Sequence, residues 1–342
     1  MKLEFFQRSA TEQSLIIRET AARRGISPVM VEKDFWVSWT LAALFAHREL
    51  GSQLVFKGGT SLSKVFGVIG RFSEDIDLSV SPAFLGINEE SVEQAIGRKK
   101  VEARMQALEA ACIASVRERF VPELERVARE ALGERSGGKP WMEFQVDAAT
   151  HSPVVLFHYP SSEPTGFAYL ARSVKMEFGS LTDQRPVGTH TVKPWVAEEF
   201  PKQLADFRCE LVALELERTF WEKATILHAE YHREAAKPMR DRFSRHYSDM
   251  AALARHEVAE RALAQAELRQ RVADWKRRFF AASWARYELA KPGTFRLAPP
   301  DFRLPELETD YRSMRPMFLA EPPALVNVIE TLRALENRIN SV

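Results

Sequence analysis

The chain has 342 residues, of which 45% are hydrophobic and 28% charged, as in an ordinary globular protein with a sizeable core. Its 48 Lys and Arg balance 47 Asp and Glu, so the net charge of +1 excludes a global basic field and leaves room only for a local basic surface. Two cysteines are too few for a disulfide framework, the amino terminus has no signal-peptide core, and no apolar run approaches the ~20 residues of a membrane span. We therefore expect a cytoplasmic protein without a membrane partner.

The first hundred residues predict helices that alternate with strands. Ser27 and Pro28 supply an N-cap and a first-turn proline for a helix that runs to about residue 48. The other predicted elements are a helix over 11–24, a strand over 53–57, a short helix over 60–68 and a strand over 74–80.

The pattern changes twice in the rest of the chain. Residues 88–132 are predicted to be helical, residues 141 to about 193 to form strands, and the chain is expected to be helical again from about 203. We expect an α/β domain over 1–200 and a helical C-terminal domain over 201–342.

Two aspartates occupy the strand predicted over 74–80. Residues two apart in a strand point to the same face, so Asp75 and Asp77 project side by side while Ile76 and Leu78 turn into the core. Carboxylates this close repel each other, and a divalent cation relieves the repulsion. Mg²⁺ (or Mn²⁺) takes one or two carboxylates together with substrate phosphates, and an open D-x-D pair suits that arrangement.

The turn Gly58–Gly59 before the short helix predicts an anion site. Glycine permits close approach to the backbone, and the amides at a helix start point outward toward an anion. Phosphates and metal ions would then meet at one edge of the sheet, as in-line nucleotidyl transfer requires. Each motif alone is common, but the order strand, G-G-T-S, helix, R-x-S-x-D-x-D predicts a metal-dependent nucleotidyltransferase.

The segments GGTSLSK and RFSEDIDL resemble the AbiEii/AbiGii nucleotidyltransferases, the toxin half of abortive-infection-type toxin–antitoxin pairs, which include the MenT toxins. Four more segments extend the resemblance over most of the chain: VEKDFWVSWTL (31–41), VKMEFGSL (174–181), WEKATILHAEYHR to SRHYSDMAAL (221–253) and DYRSMRPMF (310–318). The spacing from Gly59 to Asp75 is longer than in the generic polymerase-β-type signature and suits this toxin branch.

The resemblance implies a fold and a function. The fold is a polymerase-β-type nucleotidyltransferase core with a mixed sheet, carried by residues 1–200, and a helical C-terminal domain that contributes a lysine and an aspartate to the cleft. The reaction uses a nucleoside triphosphate and an RNA acceptor, in particular the 3′ end of tRNA, and its product blocks translation. A cognate antitoxin is the implied partner, and phage defence the implied context.

A third carboxylate is expected on a neighbouring strand to complete the metal site. Glu177 alternates with the apolar Met176 and Phe178, and the family pattern favours it. Asp147, in FQVDA, is the competitor, and either residue could instead lie on a solvated strand face.

Lys223 and Asp249 lie in the helical half. Composition alone favours a snorkelling Lys223 and a surface Arg245–Asp249 pair on the polar side of a helix. The resemblance implies instead that Lys223 contacts the nucleotide phosphates and that Asp249 positions the acceptor or orients Lys223.

Further residues are candidates for binding phosphates. The nucleotide-binding set is predicted as Lys57, Gly58, Gly59, Thr60, Ser61, Lys64, Arg71 and Ser73. Contacts to an RNA end are predicted from Arg240, Arg242, Arg245 and His246. The chemistry of Glu32, Lys33 and Asp34 stays open, since acids near a helix start also favour the helix dipole.

Two other functions stay open at the level of the sequence. The acceptor could be a protein side chain, in particular on the antitoxin. The chain could also bind GTP or ATP without turnover, although its intact D-x-D pair speaks against a degenerate enzyme.

Overall fold

The computed structural model describes residues 4–163, 171–204 and 207–341. The chain forms two compact units, Met1–Val65 with Ser73–Ala213 and Phe66–Phe72 with Leu214–Val342. It therefore enters the second unit for seven residues before it returns to the first. The assignment of catalysis to residues 1–200 stays a prediction.

The described residues contain one mixed sheet. Its strands are β1 (Leu54–Lys57), β2 (Ile76–Val80), β3 (Met142–Val146), β4 (Pro153–Phe157), β5 (Val174–Gly179), β6 (Val187–Val192) and β7 (Cys209–Leu214). The order across the sheet is β3-β4-β5-β2-β1-β7-β6. Strand β2 is antiparallel to β1 and parallel to β5, and β4 is antiparallel to both β3 and β5. The predicted α/β class with a mixed sheet is confirmed.

Helices account for most of the remaining chain. In the first unit they are α1 (Ala10–Arg24), α2 (Pro28–Phe45), α3 (Gly58–Lys64), α4 (Glu89–Glu93), α5 (Arg98–Ser115), α6 (Val121–Leu132) and α7 (Trp195–Glu199). In the second unit they are α8 (Leu216–Tyr231), α9 (Ser244–Arg255), α10 (Val258–Leu263), α11 (Ala266–Phe279), α12 (Leu304–Ser313) and α13 (Leu325–Asn340). Helix α9 packs against α8 and α13, and α8 also packs against α10 and α11.

Helix α2 is the central helix of the first unit. Every residue from Met30 to Leu44 is buried, so the helix has no solvent face. Its aromatic side chains pack on the sheet, with the rings of Trp39 and Phe157 5.2 Å apart. Such a helix must also bury the charged residues in its sequence, and two of these form ion pairs with Glu74 and with Lys64 of α3.

The structure corrects the predicted elements at two points. The chain was expected to be helical from about 203, but Cys209–Leu214 is strand β7, in which Cys209, Leu211 and Ala213 are buried and Glu210 is exposed. The alternation is too short to stand out beside the long helix that follows it. Strand β2 begins at Ile76 rather than near 74. The carbonyl of Asp75, just before the strand, accepts a hydrogen bond from the hydroxyl of Thr60.

No helix in the described part of the chain is both long and apolar enough to cross a membrane.

Candidate active site

The start of α3 lies against the carboxylate of Asp77. Register pairs Asp77 of β2 with Lys57 of β1, and Gly58 follows with a φ of +82°. A Cβ atom at Gly58 would stand 1.9 Å from Oδ2 of Asp77, so only glycine fits there. The predicted Gly58–Gly59 turn is the first turn of α3, and its first residue packs on Asp77.

Two of the predicted acidic residues lie side by side on neighbouring strands. Asp77 of β2 is the register partner of Glu177 in β5, and Asp75 lies one residue before β2 begins. The strand register thus pairs Asp77 with Glu177, and Asp75 lies next to that pair in the chain.

Lys175 supplies positive charge to these carboxylates. Its ammonium group forms an ion pair and hydrogen bond with Glu177. Burial lowers the pKa of Lys175, but the hydrogen bond to Glu177 and the charges of Glu177 and Asp75 outweigh it, and the pKa lies above its ordinary value. Sequence reasoning missed this residue, although its position two before Glu177 puts both side chains on one strand face.

The carboxylate of Asp147 is engaged in a turn. Its carboxylate accepts hydrogen bonds from the amides of Ala149 and Thr150, at 2.9 and 2.8 Å, in the turn that joins β3 to β4. These bonds hold the pKa of Asp147 below its ordinary value, and the bond from the Thr150 amide has the largest effect. Strand β3 is the edge strand, two strands away from β5. This placement favours Glu177 as the third carboxylate.

The hydroxyls of the predicted nucleotide-binding turn bind the protein itself. Thr60 donates to the carbonyl of Asp75 and shares a 2.9 Å hydrogen bond with the hydroxyl of Ser73, and Ser61 donates to the carbonyl of Gly58 at 2.9 Å. Both Thr60 and Ser61 are fully buried. Thr60 thus fixes α3 to the start of β2, and Ser61 closes the first turn of α3.

Three consecutive charged residues of α2 are buried, each with an exposed fraction of 1%: Glu32, Lys33 and Asp34. Lys33 forms an ion pair with Glu74 at 2.8 Å, next to Asp75, and Asp34 forms one with Lys64 of α3 at 2.6 Å. A buried charge without a partner is strongly unfavourable, and these pairs satisfy it. Other hydrogen-bond partners of the three side chains are Ser161, Ser162, Ala171, Ser173 and Trp195.

Two expectations from the sequence change at α2. Lys64 was predicted to belong to the nucleotide-binding set, and its ammonium group is held by Asp34 and by the carbonyl of Lys193. The open question about the acids of α2 also has a structural answer, because they fix the segments beside α3 and β2 and do not serve mainly as dipole partners.

The second unit holds a buried cluster around Asp249. Lys223 of α8 lies 2.6 Å from Oδ2 of Asp249, and Arg71 binds both carboxylate oxygens, at 2.7 and 2.8 Å. The composition-based prediction of a surface Arg245–Asp249 pair and a snorkelling Lys223 is wrong, since Asp249 is 1% exposed and Lys223 is buried. Arg71, predicted to belong to the nucleotide-binding set, pairs with Asp249.

Electrostatics fix the charge states of this cluster. Burial raises the pKa of Asp249, but the charges of Arg71 and Lys223 outweigh it, and the pKa lies well below its ordinary value. Burial lowers the pKa of Lys223, and the charge of Arg71 lowers it further. The negative charge of Asp249 raises this pKa but does not outweigh the two. His246 lies 3.4 Å from the Lys223 ammonium, and burial followed by that charge keeps its pKa well below the ordinary value. Neutral His246 therefore adds no positive charge to the cluster.

Comparison with known proteins decides the family. The sequence model of the nucleotidyl transferase AbiEii toxins, of type IV toxin–antitoxin systems, matches residues 39–337. The chain belongs to this AbiEii family. It is therefore a nucleotidyltransferase of the toxin type, and the predicted resemblance is confirmed.

Two other comparisons add little. No curated protein matches the chain significantly. Among solved structures, the chain resembles the nucleotidyltransferase toxin MenT4 from Mycobacterium tuberculosis at 17% sequence identity and a TM-score of 0.40, over 96% of this chain and 98% of that one. That likeness is too distant to transfer the role of any residue.

AbiEii membership raises the question of a divalent metal ion, and the carboxylates fit one in kind. Oxygen donors are what Mg²⁺ and Mn²⁺ prefer, and Asp77 is held against the Gly58 backbone within reach of its strand partner Glu177. No group of three or more His, Cys, Asp or Glu side chains is arranged as a metal cage in the described residues. Mg²⁺ at phosphoryl-transfer sites takes one or two carboxylates and completes its shell with substrate phosphates and water, so a cage is not required.

The AbiEii match begins at residue 39 and so excludes the buried charges of α2. The ion pairs Lys33–Glu74 and Asp34–Lys64 nevertheless tie α2 to matched segments. The sequence signal for them was three charged residues in a row within an otherwise apolar helix, a pattern that indicates buried pairing.

Proposed function

We propose that this AbiEii nucleotidyltransferase is a metal-dependent toxin that transfers a nucleoside monophosphate from a triphosphate to an RNA acceptor, the 3′ end of tRNA, and so blocks translation. The observation that carries the proposal is the packing of the Asp77 carboxylate on Gly58, opposite Glu177. This contact supports a site at which phosphates bound by the start of α3 would meet a metal ion held by the acidic residues of β2 and β5.

In the first unit, backbone amides would bind the phosphates and carboxylates would bind the metal ion. The turn after Lys57 would offer its backbone amides to the phosphates, because the hydroxyls of Thr60 and Ser61 are engaged inside the protein. Asp75, Asp77 and Glu177 would hold Mg²⁺ or Mn²⁺. When bound, the ion would neutralise charge that develops on the α-phosphate and the leaving group.

The transfer itself is a displacement at phosphorus. A hydroxyl oxygen of the acceptor forms a bond to the α-phosphorus. The bond from that phosphorus to the oxygen that bridges the α- and β-phosphates breaks, and pyrophosphate leaves with the electron pair. The hydroxyl proton passes to solvent. The protein contributes mainly position and charge, which is how phosphoryl transfer is catalysed in general.

Family resemblance assigns Lys223 to the phosphates and Asp249 to the acceptor or to Lys223. The 2.6 Å pair supports the second role for Asp249, in which it orients the lysine. Arg71 adds a second cation on the same carboxylate, so Asp249 serves two cations at once.

The family implies an antitoxin partner and a nucleoside triphosphate as substrate. We propose further that the protein acts in the cytoplasm, where both proposed substrates are found, and that its context is abortive infection in defence against phage. The antitoxin would neutralise the toxin under ordinary growth.

The test is a labelling experiment with each of the four α-³²P nucleoside triphosphates, total tRNA and Mg²⁺. Wild type is expected to label tRNA with at least one triphosphate, and chelation by EDTA or the variants Asp75→Ala and Asp77→Ala to reduce labelling by 100-fold or more. Glu143→Ala, an exposed carboxylate on β3, is the matched control and should label normally. Label on protein instead of tRNA would move the acceptor to a side chain, and triphosphate binding without any labelled product would leave a binding module.

A further inference from the structure

The segment between α8 and α9, residues 232–243, carries a local basic surface of the second unit. It holds four basic side chains, and α9 adds one in its first turn: Arg233, Lys237, Arg240, Arg242 and Arg245. Only Glu234 and Asp241 oppose them within residues 232–245. We call Arg240, Arg242 and Arg245 the arginine loop. The first two are exposed, and Arg245 is half-buried.

The backbone of this segment is held by acidic residues of α12. The two carboxylate oxygens of Asp310 accept the amides of Arg242 and Ser244, at 2.6 and 2.7 Å. Glu306 accepts the amide of Met239 at 3.1 Å. These carboxylates bind backbone amides, while the guanidinium of Arg240 lies 4.0 Å from Glu230 and over the ring of Phe243. Asp310 therefore shapes the loop.

Arg242 has an unusual backbone conformation. Its φ is +60°, in the left-handed region that non-glycine residues seldom adopt. Glycine or asparagine would accept this conformation more readily. The carboxylate of Asp310 holds the Arg242 amide and so stabilises this conformation.

The arginine loop leads directly to the cluster around Asp249. At 1.5 Å per residue, Ser244 and Asp249 are separated by roughly 7.5 Å along α9. The charge of Arg245 already acts on Lys223 and His246. A polyanion bound by the loop would thus lie at the start of the helix that carries Asp249.

We infer that the arginine loop binds the phosphodiester backbone of the RNA acceptor, and that Asp310 is the positioning residue that gives the loop its shape. The inference rests on the proposed function and deepens it by assigning the acceptor to named residues. Planar guanidinium groups pair with phosphate oxygens in bidentate fashion, and arginines fixed in place lose less freedom on doing so than mobile ones.

The first experiment measures binding separately from catalysis. Fluorescence anisotropy with fluorescein-labelled total tRNA is followed for full-length wild type and Arg240→Ala/Arg242→Ala as the salt concentration is varied. Each lost phosphate contact removes a slope of about 0.7–0.9 in log affinity against log salt, so the double variant should bind roughly 10- to 50-fold more weakly at 0.1 M salt. Affinity for the nucleoside triphosphates should stay unchanged. Arg333→Ala, an exposed arginine on α13, is the matched control and should bind tRNA like wild type.

The second experiment tests Asp310. Asp310→Ala should weaken tRNA binding as much as the double arginine variant, and combining all three changes should add little, since the carboxylate acts through the loop. Asp310→Asn keeps one acceptor oxygen and should lie between wild type and Asp310→Ala, which preserves the test if the alanine variant unfolds. Independent, additive losses would contradict a positioning role.

The outcomes separate this inference from the proposed function. If wild type labels and binds tRNA but the arginine variants bind it equally well, the inference is overturned while the function stands. If wild type labels no RNA, the proposed acceptor is wrong. A double variant that keeps its affinity for tRNA but loses the antitoxin would overturn the inference in favour of a protein-binding surface.

Discussion

Gly58 is the residue on which the first cluster depends most directly. A methyl group there would collide with Asp77, and a φ of +82° is unfavourable for any other L-residue. Gly58→Ala should therefore displace the Asp77 carboxylate and reduce nucleotidyl transfer by 100-fold or more, as measured by tRNA labelling.

Gly86 provides the control for this change. Its φ of +74° imposes similar backbone strain, but no atom lies within 4 Å of the position of its Cβ. Gly86→Ala should lower stability by about 1 kcal/mol and leave the transfer rate unchanged. Equal losses of activity in both variants would mean that backbone strain alone, and not the contact with Asp77, explains the effect.

The residue scale also shows what the sequence could predict. The D-x-D pair, Gly58–Gly59 and Glu177 were predicted from spacing, strand alternation and family resemblance, and the strand register brings them together. Asp249 was misplaced on a surface because its partner Arg71 is 178 residues away in the chain. Helical periodicity contains no information about such a partner.

At the scale of elements, α2 fixes the first unit through charges inside an apolar helix. The Asp34–Lys64 pair joins α2 to α3, and both side chains are almost wholly buried. Lys64→Met leaves the Asp34 carboxylate without its cation, so the free energy of unfolding should fall by about 3–5 kcal/mol. Chemical denaturation followed by circular dichroism measures it.

An exposed pair on α1 supplies the comparison for α2. Arg23 and Glu19 form an ion pair at 3.0 Å with both side chains about half exposed. Arg23→Met should change the free energy of unfolding by less than about 1 kcal/mol. A Lys64→Met protein as stable as Arg23→Met would show that Asp34 finds another partner, in particular the Trp195 amide.

Elements were predicted well where no stronger pattern adjoined them. The helix from Ser27 and the strands predicted over 53–57 and 74–80 lie close to their true bounds, and the strand region from 141 to about 193 contains β3 to β6. Strand β7 was lost because its six residues adjoin a 16-residue helix with a much stronger pattern. Strand order was not accessible, since β1 joins β7 across a separation in sequence that no local signal reports.

At the scale of the whole molecule, histidines make the stability of the second unit depend on pH. His228 donates from Nε2 to the carbonyl of Arg286 and accepts the amide of Arg296 at Nδ1, so it fits only as the neutral imidazole. Burial lowers its pKa to about 4 from an ordinary 6.5. The pKa of His246, which lies beside Lys223, shifts in the same direction.

The sign of the pH effect follows from these depressed pKa values. Well above pH 6.5 the His228 imidazole is neutral in both the folded and the unfolded chain, and its full contribution to stability is present. As the pH falls from about 6.5 to about 4 the unfolded chain takes up protons that folded His228 refuses, which costs about 3 kcal/mol for His228 alone. Urea midpoints measured between pH 7.5 and 4.5 should fall with pH, and less so in His228→Gln. A midpoint that rises on acidification would contradict this assignment.

The brief passage of the chain through the second unit at Phe66–Phe72 has a consequence for synthesis. The amide of Phe72 bonds the carbonyl of Met317 at 2.7 Å, and the carbonyl of Gly70 accepts the amide of Leu319 at 3.0 Å. Residues 70–72 are synthesised about 245 residues before 317–319, so neither hydrogen bond can form until the later segment has been made. During that interval the Phe66–Phe72 segment lacks the two partners that join it to 317–319. A chain that terminates before Met317 never acquires them, so Gly70 and Phe72 stay without these hydrogen bonds in it.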